Sequence, residues 1–225
     1  WFFAILSPML FSAPLPYSSD ATAFYAAIAD LPWAVWLDSG GRDRFDILAA
    51  QPAVTLVTRG AQTEICDASG TRFSSDDPFN LLREQLGTKS ECMPDVKFAG
   101  GALGYWGYDL ARRFSDMSSH AQDAEGLPEM AAGIYDWAVQ LDHQEKKAQL
   151  LSHNRYPQTK EIIPQILARL LGKNSPPLPD TFRVHGDVVS NFSRCGYESA
   201  FAAVQAYLHA GDCYQVNLAQ RFSAR

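Results

Sequence analysis

A glycine-rich aromatic segment, GGALGYWGYD at positions 100–109, constrains the fold of this chain more than any other stretch. It does not match the GxGxxG dinucleotide motif, because the residue two positions after Gly100 is Ala102, and no GK[ST] ending of a P-loop follows. Glycines inside an aromatic strand instead permit a bulge or the close approach of another backbone. The segment therefore predicts a packing motif in a strand rather than a phosphate-binding loop.

Hydrophobic periodicity and turn residues divide the rest of the chain into helices and hairpins. The predicted helices are Ala21–Asp30, the stretch between the Asp77-Pro78 cap and Gly87, a short Asp109–Phe114, Thr159–Leu171, and the stretch from the Ser193 cap to Gly211. Two hairpins are predicted, Ala53–Thr58 with Gln62–Cys66 and Ile134–Leu141 with Ala148–His153. Single strands are predicted over the apolar opening Trp1–Phe11, over Trp33–Leu37 and over Cys213–Phe222.

Composition and charge exclude several classes of function. Hydrophobic residues make up 47% of the 225 and the formal net charge is −6, which argues against nucleic acid or an anionic membrane surface as the main partner. The apolar opening lacks the basic residues of a signal peptide, since no Lys or Arg occurs before Arg42, and it is too short to span a bilayer, so it is interpreted as a buried strand. Four isolated cysteines indicate a reducing compartment, which predicts a cytoplasmic protein.

Residue motifs reveal no catalytic group. The sequence has no GxSxG, its five histidines are scattered, and its carboxylates form no DxD or ExxE grouping suited to a metal ion. A proline-rich stretch at 173–180, KNSPPLPD, predicts a linker that separates residues 1–172 from residues 181–225.

One pocket is predicted from the chain itself. The strand that ends at Leu37-Asp38-Ser39 and the strand that returns at Arg44-Phe45-Asp46 flank a glycine turn. This arrangement collects a hydroxyl, a guanidinium, a carboxylate and an aromatic ring, which is the mixture that a small zwitterion needs. The alternative interpretation is a loop held in place by an Arg–Asp pair, and the residues alone leave both open.

Six stretches resemble the component I subunits of chorismate-utilising enzymes. They are LPWAVWLDSG, RFDILAAQP, FAGGALGYWGYDLARRF, LPEMAAGIYDWAVQLDHQ, LLSHN and YLHAGDCYQVNLAQRF. Their order and spacing run from Leu31 to Phe222, and the IYDWAVQLDHQ segment favours the aminodeoxychorismate synthase (para-aminobenzoate synthase) branch over the anthranilate synthase branch. The resemblance implies an α+β fold of the anthranilate synthase component I type, a layered β/α/α/β sandwich with antiparallel sheets that is present only in part.

The resemblance also implies an activity. In this family the C4 hydroxyl of chorismate is replaced by an amino group, ammonia comes from glutamine through a glutamine amidotransferase subunit, and Mg²⁺ holds the substrate carboxylate. The motifs that carry this chemistry in the family are missing from these 225 residues, so no catalytic residue and no metal ligand is assigned. Residues 1–172 correspond to the family's amino-terminal region and residues 181–225 to the truncated start of its chorismate-binding domain.

Members of the family often hold tryptophan in their amino-terminal half. By position that pocket falls on Leu37, Ser39, Arg44, Phe45 and Asp46, the residues flanking the glycine turn. The expected function is therefore that of an aminodeoxychorismate synthase component I, with this piece inactive by itself. Two alternatives stay open: a piece of anthranilate synthase component I, and a stand-alone tryptophan-binding regulatory module.

Overall fold

The computed structural model describes residues 10–87, 95–118, 123, 125–172 and 183–224. The chain divides into two compact units, one up to residue 177 and one from residue 178. The predicted linker 173–180 and the first nine residues of the apolar opening lie outside the described residues. The domain assignments made from the sequence therefore stay predictions.

The first unit contains two five-stranded antiparallel sheets. The first sheet has the strand order β1-β10-β9-β3-β2 and the second has the order β6-β5-β4-β8-β7. The strands are β1 (Phe11–Leu15), β2 (Val35–Leu37), β3 (Phe45–Ala49), β4 (Val54–Arg59), β5 (Gln62–Asp67), β6 (Gly70–Ser74), β7 (Gly101–Trp106), β8 (Met130–Tyr135), β9 (Trp137–Asp142) and β10 (Lys147–Ser152). The helices are α1 (Thr22–Ala26), α2 (Pro78–Leu86) and α3 (Pro157–Leu171), with a 3₁₀ helix over Tyr108–Arg113.

Local sequence signals account for several of these boundaries. The side chain of Asp77 accepts a hydrogen bond of 2.7 Å from the Phe79 N–H, Pro78 occupies the first helical position, and Gly87 ends α2 with a φ of 62°. The predicted β4–β5 hairpin is confirmed. Helix α1 is shorter than the predicted Ala21–Asp30, because the bonds from Ile28 N–H to the Tyr25 oxygen and from Leu31 N–H to the Ile28 oxygen tighten its end into turns.

The second predicted hairpin is present as β9 paired with β10, but the prediction of one strand over Ile134–Leu141 is wrong, and the error has a clear physical cause. The chain forms two strands there, β8 in the second sheet and β9 in the first, with the single residue Asp136 between them. Both strands are central in their sheets, and every residue from 132 to 142 is buried. A strand covered on both faces shows no alternation of polar and apolar residues, so the sequence pattern carries no mark of the crossing.

Helices lie on the outer faces of this unit, and the sheets meet between them. Helices α1 and α3 pack on one face of the first sheet around Leu48 and Trp137. Helix α2 packs on one face of the second sheet around Leu56. The opposite faces share a third cluster that contains Ile47 and Tyr135. The predicted antiparallel sheets with helices are confirmed, and in the described part of the first unit residues of both sheets meet in this cluster.

Asp136 holds the crossing between the sheets. Its side chain is 1% exposed, and its Oδ2 accepts a hydrogen bond of 3.0 Å from the Tyr156 N–H at the start of α3. The Ser152 hydroxyl donates to the Asp136 carbonyl oxygen at 2.6 Å. The junction is therefore joined to β10 and to α3 at once, and each bond satisfies a backbone group that would be costly to leave unpaired.

The glycine-rich segment forms β7 and packs as predicted. An ideal Cβ placed on Gly104 would lie 2.1 Å from the Ala131 carbonyl oxygen and 2.6 Å from the Ala132 Cα of the paired strand β8. Gly100 has a φ of 144°, and a Cβ there would lie 2.9 Å from the Tyr135 oxygen. Glycine is required at these points because two backbones approach too closely for any side chain.

The second unit has one long helix and a short strand pair. Helix α4 (Arg194–Ala210) begins at Ser193, whose hydroxyl accepts from the Gly196 N–H at 3.1 Å, and ends at Gly211 with a φ of 80°, as predicted. The predicted strand Cys213–Phe222 is wrong. Only β11 (Val189–Ser190) and β12 (Phe222–Ser223) pair in the described part of this unit, and an alternating pattern forms a strand only where a partner backbone is available.

A search of the described helices finds none with the length and apolarity needed to cross a membrane.

We predict that Gly104→Ala destabilises the protein by about 1–3 kcal/mol, because the added methyl group forces β7 and β8 apart. Gly107→Ala is the matched control in the same segment, since a Cβ there would lie 3.2 Å from the Glu129 oxygen and needs only a small adjustment. Urea unfolding followed by circular dichroism measures both. Equal losses for the two variants would contradict the close-approach explanation.

Candidate functional site

A cavity of about 570 Å³ opens at one end of the first sheet. It lies where the segment after β1, the β2–β3 turn and the β9–β10 turn meet. Two aromatic side chains and several polar ones line it: Tyr17, Ser19, Asp20, Ala21, Thr22, Trp36, Asp38, Ser39, Gly40, Gly41, Asp43, Asp46 and His143. Its size and its mixture of aromatic and polar groups suit a small amphipathic ligand.

Asp46 is the buried polar centre of this wall. Its side chain is 4% exposed, its Oδ1 accepts a hydrogen bond of 2.8 Å from the Ser39 N–H, and its Oδ2 lies 3.2 Å from His143 Nε2. Burial raises the pKa of the carboxyl, but the Ser39 N–H and His143 outweigh burial and hold the pKa below the ordinary value of 3.8. Asp46 is therefore an ionised acceptor at neutral pH.

The Ser39 hydroxyl and the Trp36 indole N–H are further polar groups of the wall. Within the described residues, Ser39 Oγ and Trp36 Nε1 are buried and meet no hydrogen-bond partner. The Ser39 hydroxyl lies close to Asp46 and helps to lower the pKa of that carboxyl, but it makes no hydrogen bond to it. We therefore ascribe the lower pKa mainly to the hydrogen bond from the Ser39 N–H. A ligand or a water molecule is the partner such buried groups require.

Arg44 contacts two carboxylates other than Asp46. Its Nε lies 3.0 Å from both carboxylate oxygens of Asp142, its Nη2 lies 2.5 Å from Oδ2 of Asp142, and the same nitrogen lies 3.2 Å from Asp95. The guanidinium also sits 4.6 Å from the centre of the Phe45 ring. The Asp142 hydrogen bonds raise the pKa of Arg44, and the pKa of Asp142 is lowered by Arg44 in turn. Arg44 thus fastens the start of β3 to the β9–β10 turn.

The structure brings together two of the five residues predicted for the pocket. Ser39 and Asp46 line the cavity, whereas Arg44, Phe45 and Leu37 are not among its lining residues. The Leu37 side chain is 49% exposed. The two predicted strands that flank the glycine turn are present and pair with each other as β2 and β3. Arg44 fits the alternative interpretation, a loop held in place by an Arg–Asp pair, and its partner is Asp142. Occupation by tryptophan stays a prediction.

Sequence reasoning missed three residues of the wall. Tyr17, Trp36 and His143 carried no motif of their own, and His143 was one of five scattered histidines. His143 follows β9, and the pairing of β9 with β3 places it beside Asp46, 97 positions away. Only the strand order of the sheet could have revealed the contact, and that order is not encoded in any short pattern.

Metal binding was tested against the described residues. No group of three or more His, Cys, Asp or Glu side chains among them could hold a metal ion. The Mg²⁺ that the family resemblance implies therefore finds no fitting ligand set in this part of the chain, and no chemical step is assigned to it here.

The family of chorismate binding enzymes matches residues 34–225 of the chain. The chain belongs to this family. Membership is consistent with the two antiparallel sheets and the glycine-rich strand, although fold and family alone do not establish the reaction.

Relatives of known name fall into two groups. The aminodeoxychorismate synthase component 1 of Salmonella typhimurium is 42% identical over 97% of this chain and 48% of its own length, and that of Escherichia coli K12 gives the same figures. The anthranilate synthase alpha subunit 2 of Arabidopsis thaliana is 25% identical over 81% of this chain. The chain spans about half the length of the curated relatives that it matches.

A solved structure shares the fold. Anthranilate synthase component I from Streptococcus pneumoniae matches with a TM-score of 0.65 and 24% identity, over 88% of this chain and 46% of that protein. The anthranilate synthase component I type of fold is therefore confirmed for this member of the chorismate-binding family, over about half of that fold.

We predict that Asp46→Asn lowers the free energy of unfolding by about 1–3 kcal/mol near neutral pH, because the charged group that accepts the Ser39 N–H and contacts His143 is lost. The folded-state pKa of Asp46 lies below 3.8, so its contribution is fully present above that pH and disappears as the pH falls through the folded value. Urea titrations between pH 2.5 and pH 7 measure the difference between variant and parent. A difference that stays constant down to the lowest pH would contradict an ionised Asp46.

Proposed function

We propose that this chain is the amino-terminal part of an aminodeoxychorismate synthase component I, a subunit that replaces the C4 hydroxyl of chorismate by an amino group. The observation that carries the proposal is the difference between relatives. Identity is 42% over 97% of the chain for the Salmonella typhimurium and Escherichia coli proteins named as this component, and 25–29% over 81% of the chain for anthranilate synthase alpha subunits of plants. In the whole protein a glutamine amidotransferase subunit supplies ammonia from glutamine, and Mg²⁺ holds the chorismate carboxylate.

The residues described here have a supporting role in this proposal. They supply the paired sheets on which the rest of the protein is built, and they supply no catalytic group. We infer that the chain does not convert chorismate by itself. The cytoplasmic location indicated by the cysteines also stays a prediction, and the described Cys66, Cys195 and Cys213 are all unpaired.

We further propose that the cavity beside Asp46 binds tryptophan. Support comes from its volume, from the rings of Tyr17 and Trp36 in its wall, and from the buried carboxylate of Asp46, which is suited to an amino group. Arg44 is held by Asp142, so the carboxylate of the ligand is not expected to bind there. Ser39 and Asp46 remain the predicted ligand contacts.

The product of the whole protein tests the first proposal. With chorismate, Mg²⁺, glutamine and a cognate amidotransferase, we predict 4-amino-4-deoxychorismate, identified by mass spectrometry. Formation of anthranilate, which is identified by its fluorescence, would instead establish the anthranilate synthase alternative. The gene sequence gives a second test, since lysine at the variable position of the family's P-I-x-G-T segment favours aminodeoxychorismate synthase, and alanine or threonine contradicts it.

Calorimetric titration with L-tryptophan tests the cavity. We predict that Asp46→Asn weakens binding at least about tenfold, because a neutral amide attracts an ammonium less strongly than a carboxylate does. Asp116→Asn, at an exposed residue that does not line the cavity, is the matched control and is expected to bind like the parent. Binding that is unchanged in Asp46→Asn would show that the cavity is not the tryptophan site.

A further inference from the structure

Three side chains lie in a row along the cavity wall. The Tyr17 hydroxyl lies 3.1 Å from His143 Nδ1, and His143 Nε2 lies 3.2 Å from Asp46 Oδ2. Asp46 Oδ1 then accepts the Ser39 N–H. The row joins the segment after β1, the β9–β10 turn and β3, so the imidazole links opposite sides of the cavity.

The partners of His143 fix where its protons lie. Asp46 is ionised and can only accept, so Nε2 of His143 carries a hydrogen and donates it. In neutral His143 the Nδ1 atom is then an acceptor, and the Tyr17 hydroxyl donates to it. In the imidazolium form Nδ1 also donates, so the Tyr17 hydroxyl becomes the acceptor and its own hydrogen turns toward another group. Both forms keep the row connected, and they differ by one positive charge.

That charge would lie in an otherwise acidic wall. Among the described residues that line the cavity, none is lysine or arginine, and the charged or titratable groups are Tyr17, Asp20, Asp38, Asp43, Asp46 and His143. The backbone N–H of His143 donates to the Arg44 oxygen at 2.9 Å, while the Arg44 side chain is paired with Asp142. Among the described lining residues, His143 is therefore the one whose side chain can become a cation. It contacts Asp46, the carboxylate that is proposed to receive a ligand ammonium.

We propose that His143 makes occupancy of this cavity dependent on its own protonation, with the neutral imidazole favouring an aromatic ligand that carries an ammonium group and the imidazolium opposing it. The inference rests on the proposed ligand-binding role of the cavity. The imidazolium and the ligand ammonium compete for the same carboxylate, so binding of the ligand releases the His143 proton. His143 acts as a positioning residue for Asp46 and also as a selector of ligand charge.

Three indole compounds test the contributions of the ligand's ammonium group and of its carboxylate group separately. Tryptamine has the ammonium without the carboxylate, indole-3-propionate has the carboxylate without the ammonium, and L-tryptophan has both. An alkyl ammonium, like that of lysine, stays charged between pH 5.5 and pH 8, whereas histidine changes charge in this range. We expect L-tryptophan and tryptamine to bind at pH 8 and to weaken about tenfold by pH 5.5, and we expect indole-3-propionate to bind poorly throughout.

The experiment is isothermal titration calorimetry of the protein at pH 5.5, 6.5 and 8, in two buffers of different ionisation enthalpy, which counts protons released on binding. His143→Gln keeps a donor toward Asp46 and an acceptor toward Tyr17 but cannot become charged. We expect this variant to bind tryptamine equally at all three pH values, without proton release. His185→Gln, at an exposed histidine of the second unit, is the control and keeps the pH dependence of the parent.

The outcomes separate two failures. If tryptamine and L-tryptophan bind at no pH, the cavity is not a ligand site, and the proposed role of the cavity falls together with this inference. If they bind, but His143→Gln keeps the pH dependence and the proton release of the parent, the ligand-binding role of the cavity is supported and the role of His143 is overturned. A merely structural role for His143 would weaken binding in the variant equally at every pH, which also overturns the inference.

Discussion

The rest of the first unit depends on one constraint: the chain passes from one sheet to the other at a single residue. Asp136 lies between β8 and β9, each of which is hydrogen-bonded on both sides within its own sheet. Its carboxylate and carbonyl fasten the crossing to the start of α3 and to β10. These two hydrogen bonds tie the start of α3 and the end of β10 to this point, while Asp136 Oδ1 is buried and meets no partner among the described residues. The helices can then cover the outer faces of the sheets.

The candidate site follows from that arrangement. With β9 fixed in the first sheet, its pairing with β3 brings the β9–β10 turn beside the β2–β3 turn. Arg44 and Asp142 tie these two turns together, which leaves Asp46 and His143 to face the cavity. Arg44, which was predicted to contact a ligand, thus holds the two turns together, and the ionised Asp46, which accepts a backbone N–H, is the polar feature that remains for a ligand.

Local signals and long-range contacts differ in how far the sequence reveals them. The caps at Asp77 and Ser193 and the close approach at Gly104 depend on neighbouring residues or on the size of one side chain, and all three were predicted correctly. The crossing at Asp136 was missed because burial on both faces removes the alternating pattern. His143 was missed because its contact with Asp46 depends on strand order. The fold type was inferred from family resemblance and not from residue patterns, and the solved structure that shares the fold confirms it over about half of that fold.

The most direct test of the supporting role is a titration of the 225-residue chain with chorismate in the presence of Mg²⁺, after which the amount of chorismate consumed is measured. It distinguishes a chain that only supports the rest of the protein from one that converts chorismate. The described residues place no three metal-ligating side chains together, and the polar wall of the cavity is acidic and therefore repels a dicarboxylate such as chorismate. The result expected is neither binding heat nor consumption of chorismate. Saturable binding of chorismate that requires Mg²⁺, or its conversion by this chain alone, would contradict the assignment of a supporting role.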